Sequence, residues 1–109
     1  MLEAILGSAS SEKVLMFLIS RDQGYAREIA RFFDTDVAPI QRQLEKLERG
    51  GVLVSRLAGR TRLFSFNPRY PMIDELRSLL EKTLQFYPDD VREKLTMVRR
   101  RPRRRGKPL

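Results

Sequence analysis

The sequence predicts a mainly α domain that carries a small β-hairpin, an α+β arrangement. Three observations predict it. Apolar residues recur at helical spacing before residue 50 and again past residue 72. Between those regions two β-rich runs, "VLVSRLA" and "TRLFSFN", flank Gly59-Arg60, as the strands of a hairpin do. A chain of 109 residues also holds only one small domain with a thin core, or one domain with a tail.

Each element follows from local chemistry. "MLEAIL" places Leu2, Ile5 and Leu6 at helical spacing and stops at Gly7. Ser8 suits an N-cap, its hydroxyl accepting from a free amide of the next turn. A helix over 9–20 is apolar nearly all round, from Val14 to Ile19, so it is buried on more than one side. Gly24 breaks the chain, and "YAREIARFF" forms a short helix with Ala26, Ile29 and Phe33 on one face. Arg27 and Arg31 point the other way. "DTD" is a turn, and Asp36 caps the helix "VAPIQRQLEKLER". There Val37, Ile40, Leu44 and Leu47 fall within an arc of ~80°. Pro39 sits at the third helical position, where its missing N–H has no intrahelical acceptor to lose. Gly50-Gly51 ends this helix.

Past the hairpin, "NPRYP" is punctuation, and residues 72–87 read as one long helix. Its apolar residues, Met72, Ile73, Leu76, Leu79, Leu80, Leu84, Phe86 and Tyr87, spread over an arc of ~160°, wider than the ~100° that one core covers. Pro88 opens a last helix striped by Val91, Leu95 and Val98, with Asp90 and Glu93 spaced as in a capping box. Residues 1–98 form the domain. Residues 99–109, "RRRPRRRGKPL", offer almost nothing to bury and read as a disordered basic tail.

Composition removes most enzyme classes. Cysteine and histidine are both absent, and with them thiol nucleophiles, soft-metal ligands and the commonest neutral-pH base. No nucleophile elbow or glycine-rich phosphate loop occurs. We therefore expect no catalysis, no metal and no cofactor. Nothing approaches a membrane span or a signal peptide, so a cytoplasmic protein is expected. The net charge is +8, yet the tail holds seven of the 22 basic side chains and none of the 14 acids. The remaining 15 basic and 14 acidic residues leave residues 1–98 at +1.

The order helix, short helix, turn, short helix, hairpin, long helix is that of a winged helix-turn-helix with flanking terminal helices. "YAREIARFFDTDVAPIQRQLEKLERGGVLVSRLAGRTRLFSFN", residues 25–67, resembles the DNA-binding core of ArsR-type winged-helix transcriptional regulators. "REIA", the Leu-x-x-Leu-x-x-Gly-Gly-Val-Leu run and "SRLAGRTRLF" carry the resemblance, which extends over roughly residues 7–87 with the flanking helices. It implies a dimeric repressor of a prokaryotic cytoplasm, paired through its terminal helices. Leu2, Ile5, Leu6, Leu76, Leu80, Leu84 and Tyr87 are the expected dimer contacts. A larger intramolecular core closed by residues 90–98 is the alternative. The sequence is also similar in flavour to winged-helix modules that accompany minimal nucleotidyltransferases. Docking to such a partner enzyme is a second function, and nonspecific nucleic-acid binding through the tail a third.

For the first function, physics names the contacts to double-stranded DNA. A second helix lying in the major groove needs an apolar back and a hydrogen-bonding front. Arg42 and Ala38 lie opposite the leucine face, with Pro39 and Lys46 on one flank and Gln41 on the other. Arginine bonds bidentately to guanine, glutamine to adenine, and small apolar groups touch the thymine methyl. In the hairpin Arg56, Arg60, Thr61 and Arg62 surround the turn, where arginines reach phosphates or the minor groove. Arg27 on the preceding helix and Arg99, Arg100, Arg101, Arg103, Arg104 and Arg105 in the tail complete the basic set. The plain alternatives are a solvated helix face, an edge hairpin protected by charge and a solubility tail.

Overall fold

The computed structural model describes the chain through Arg104, with side chains through Thr96; residues 105–109 and the side chains of 97–104 lie outside the described residues. The elements run α1 (Glu3–Leu6), α2 (Ala9–Arg21), β1 (Gln23–Gly24), α3 (Ala26–Phe32), α4 (Val37–Arg49), β2 (Leu53–Ala58), β3 (Thr61–Phe66), α5 (Ile73–Leu84) and α6 (Asp89–Arg104).

Helix α2 is the hub. Val14, Leu15, Met16, Phe17 and Leu18 are all buried, and α1, α3, α4, α5 and α6 pack around them. Ser8 caps it as expected, accepting from the Ser11 amide at 3.1 Å. At its other end Arg21 stacks over the Phe17 and Phe32 rings at 4.8 and 5.2 Å. The same guanidinium donates to the carbonyls of Leu95 and Lys94 at 2.8 and 3.2 Å, fastening α6 to the hub. Leu95 is fully buried there, and Val91 packs half-buried beside it.

Helices α3 and α4 form the helix-turn-helix. Asp34 takes a left-handed φ of 53° between them, and the Thr35 amide reaches back to Ala30 O at 3.0 Å. Asp36 stands at the N-cap of α4, but its side chain makes no capping bond. Ile40 and Leu44 are buried and Leu47 half-buried, whereas Val37 is 38% exposed because the first turn projects past the core. At the far end Gly51 turns left-handed (φ 83°), and the Val52 amide bonds Leu47 O at 2.9 Å while the Gly51 amide bonds Glu48 O at 3.0 Å. That is a Schellman closure, which a residue with a Cβ adopts only under strain. Gly50, its neighbour, keeps a right-handed conformation.

The hairpin pairs Leu53 with Phe66 through Ala58 with Thr61, leaving Gly59-Arg60 as a two-residue loop with Gly59 at φ 65°. A third strand, β1, was not anticipated. Gln23 and Gly24 pair antiparallel with Ser65 and Phe64, giving the order β1-β3-β2. Gly24 is buried so closely against Phe17 that an added Cβ would lie 2.7 Å from the ring.

Two expected boundaries move. The long helix ends at Leu84 rather than 87, because the Phe86 and Tyr87 amides fold back onto the Thr83 and Leu84 carbonyls at 2.9 and 3.1 Å. Pro88 then disfavours helix at the residue before it. Phe86 and Tyr87 are therefore not on the α5 face. At the other end, α6 carries helical backbone past the boundary expected between residues 98 and 99. Once its first turns are packed, the helix propagates into the arginines without a new nucleation cost, although Pro102 has no N–H to donate within it. The expectation of a disordered tail falls in part on residues 105–109, which lie outside the described residues.

Candidate nucleic-acid interface

The hydrogen-bonding front of α4 is built as the sequence suggests. Ile40 and Leu44 hold its back in the core, so Ala38, Arg42 and Lys46 stand exposed on the front. Pro39 is half-buried at the first turn. Gln43 faces inward instead and accepts from the Ser11 hydroxyl at 2.6 Å, tying α4 to α2. Gln41 lies on the flank toward the hairpin, its amide donating to Glu45 Oε2 at 2.8 Å.

Between that flank, the start of α3 and the hairpin tip lies a cleft of about 400 Å³. Arg27, Gln41, Arg60, Thr61 and Arg62 line it, together with Tyr25 and Phe64. The side chains of Arg27, Arg42, Lys46 and Arg60 have no ion-pair or hydrogen-bond partner among the described residues. A cleft so lined attracts anions, and it presents planar donor forks that suit phosphate oxygens or base edges.

The chain is similar in structure to several solved proteins. A double mutant of ZitR from Lactococcus lactis, in apo form, aligns at TM-score 0.54 and 21% identity, over 83% of this chain and 76% of that one. The adhesin competence repressor AdcR of Streptococcus pyogenes gives 0.53 and 16%, over 89% and 81%. A MarR-family transcriptional regulator from Rhodococcus sp. RHA1 gives 0.57 and 19%, over 92% and 77%. The fold is a winged helix-turn-helix. At these identities the likeness concerns the fold and does not single out the ArsR type. No protein-family model matches the sequence, and no curated protein matches it significantly.

In winged-helix terms α4 stands at the recognition position and β2–β3 form the wing. The wing arginines part company. Arg62 shares a sheet face with Ser55, Phe64 and Phe66, toward α4 and the core, and donates to Ser55 Oγ at 2.9 Å. Arg56 lies on the opposite face, paired with Leu63, and reaches across β3 to Gln23 Oε1 at 3.3 Å. Arg56 is therefore not brought into the cleft. Arg105 lies outside the described residues, as do the side chains of Arg99, Arg100, Arg101, Arg103 and Arg104.

The expected dimer set needs a larger correction. Leu2 is 5% exposed and Leu80 fully buried, so both belong to this chain's own core. Leu2 is drawn in because its amide donates to the buried Glu12 carboxylate at 2.7 Å. Leu80 is drawn in because α5 packs against α2 in the core. Leu6, Leu76, Leu84 and Tyr87 pack half-buried on the core, and Ile5 is exposed. What remains open is an apolar groove of about 330 Å³, walled by Leu6, Leu47, Val52, Met72, Leu76 and Leu79.

Three residues of consequence escaped the sequence reading. Tyr25 lines the cleft, and Ser55 and Glu48 connect the wing to α4 through a hydroxyl that donates to Glu48 Oε2 at 2.6 Å. Ser55 did leave a signal: it is a polar residue at the inward register between Leu53 and Leu57.

Proposed function

We propose that the protein is a transcription regulator that binds double-stranded DNA as a dimeric repressor. In this proposal α4 enters the major groove, with Arg42, Gln41 and the small Ala38–Pro39 step at base edges. Arg60 and Arg62 on the wing reach the backbone or the minor groove, and the arginines from 99 onward add attraction to phosphate without base preference. The observation that carries the proposal is the cleft. Arg27, Gln41, Arg60, Thr61 and Arg62, from three separate elements, converge beside an exposed α4 front that the core does not use. Proteins of similar fold are described as a repressor and as a transcriptional regulator, which supports the same reading.

Dimerisation is proposed through the open apolar groove, with Ile5, Met72 and Leu79 exposed and Phe86 standing free after α5. Two recognition helices of a dimer would address half-sites about one helical turn apart, near ~34 Å. Selection of bound genomic fragments tests the proposal. Enrichment of a two-fold symmetric site is the expected result. Recovery no better than from scrambled duplex would overturn it.

A further inference from the structure

Ser55 occupies a register of β2 where alternation calls for an apolar side chain, between Leu53 and Leu57. Its Cα partner is Phe64, and Arg62 lies two positions before Phe64 on the same face. Both hydrogen-bonding roles of its hydroxyl are used at once. The proton goes to Glu48 Oε2 at 2.6 Å, and the oxygen accepts from Arg62 Nη1 at 2.9 Å. Glu48 comes from the last turn of α4. A carboxylate of the recognition helix and a guanidinium of the wing are thus joined through one hydroxyl. Among the described residues neither charge has a direct ion pair.

Arg62 lines the cleft with Arg27 and Gln41. A guanidinium carries five N–H donors in a rigid fork, so anchoring it at one nitrogen leaves donors for an outside partner. An arginine held in advance also has less rotamer freedom to lose on binding. We infer that Ser55 and Glu48 are positioning residues: they hold Arg62 in the cleft. This rests on the DNA-binding proposal above for its purpose, though not for its geometry.

Ser55→Thr and Ser55→Val isolate the hydroxyl. Both are β-branched and well suited to a strand, and they differ by a hydroxyl against a methyl. Ser55→Thr is expected to bind the selected duplex like wild type. Ser55→Val is expected to bind about three- to tenfold more weakly, the scale of one hydrogen bond. Its salt dependence is expected to stay unchanged, because no charge is lost. Arg62→Ala is expected to flatten the slope of log affinity against log salt by ~0.9, the share of one phosphate contact. Adding Ser55→Val to Arg62→Ala is expected to cost nothing more.

Equal affinities for the Thr and Val variants would overturn the inference. So would a full further loss in the Arg62→Ala background, which would mark Ser55 as a general stabiliser. A wild type that binds no duplex would sink the DNA proposal instead. In that case the nitrogen resonances of the Arg62 guanidinium still decide. They are expected to be separate in wild type and Ser55→Thr and averaged in Ser55→Val; averaging in wild type would overturn the inference.

Discussion

Glu12 is an acid in an apolar helix, only 6% exposed. Burial alone would raise its pKa. The Tyr87 hydroxyl, the Leu2 amide at 2.7 Å and the terminal ammonium at 3.1 Å all donate to it and hold the value below the ordinary 4.5. Burial, and then the same carboxylate, push Tyr87 upward. A folded-state pKa below the unfolded one favours folding while the group is charged. That stabilisation is whole above the ordinary value and is lost as pH falls through the folded one. Glu12→Gln is expected to cost about 1–3 kcal/mol at neutral pH. It is also expected to flatten the loss of stability as pH falls below the ordinary 4.5, as urea unfolding across pH would show. At the interface, Arg42→Ala is expected to cost about 1–3 kcal/mol on the preferred site and to relax base preference near its contact. Arg60→Ala is expected to weaken every sequence by a similar factor. Parallel titrations on operator and scrambled duplex distinguish the two.

The helices and the hairpin were legible because their signals are local. The leucine spacing of α4, the Ser8 cap and the Gly59-Arg60 turn each depend on neighbours within a few residues. What escaped depends on contacts far along the chain. Nothing in "DQGY" announces a strand, since Gln23 and Gly24 become one only by meeting Ser65 and Phe64. The inward turn of Leu2 depends on Glu12, and the end of α5 on carbonyls that take their own short turn. For the cleft, residue types pointed to the elements that line it. The split of Arg56 from Arg62 needed the register of the strands. One element can be tested alone. Gly51 holds φ 83° with nothing within 4 Å of a built Cβ, so a side chain there meets strain but no clash. Gly51→Ala is expected to lower stability by about 1–2 kcal/mol, the cost of a left-handed residue, with the unfolding slope against denaturant unchanged.

At the scale of the whole molecule, one chain covers only part of the apolar surface of its terminal helices. Leu80 and Leu95 are fully buried, yet Met72 is 55% and Leu79 38% exposed beside the same groove. Met72→Glu with Leu79→Glu is expected to give a monomer in sedimentation with little change in melting. Leu80→Asp is expected to unfold the protein, since a buried unpaired carboxylate costs several kcal/mol. A wild type that sediments as a monomer would remove the dimer from the proposal. The β1–β3 bridge has a consequence of a different kind. Two residues close a segment that contains α3, α4 and β2. Fastening the ends of so long a span costs entropy before it returns any contact, whereas the α3–α4 turn forms between neighbours. The sheet's third strand is thus expected to fasten after that turn. In refolding, a probe at Gly24 and Phe64 is expected to report completion later than one at the turn around Asp34.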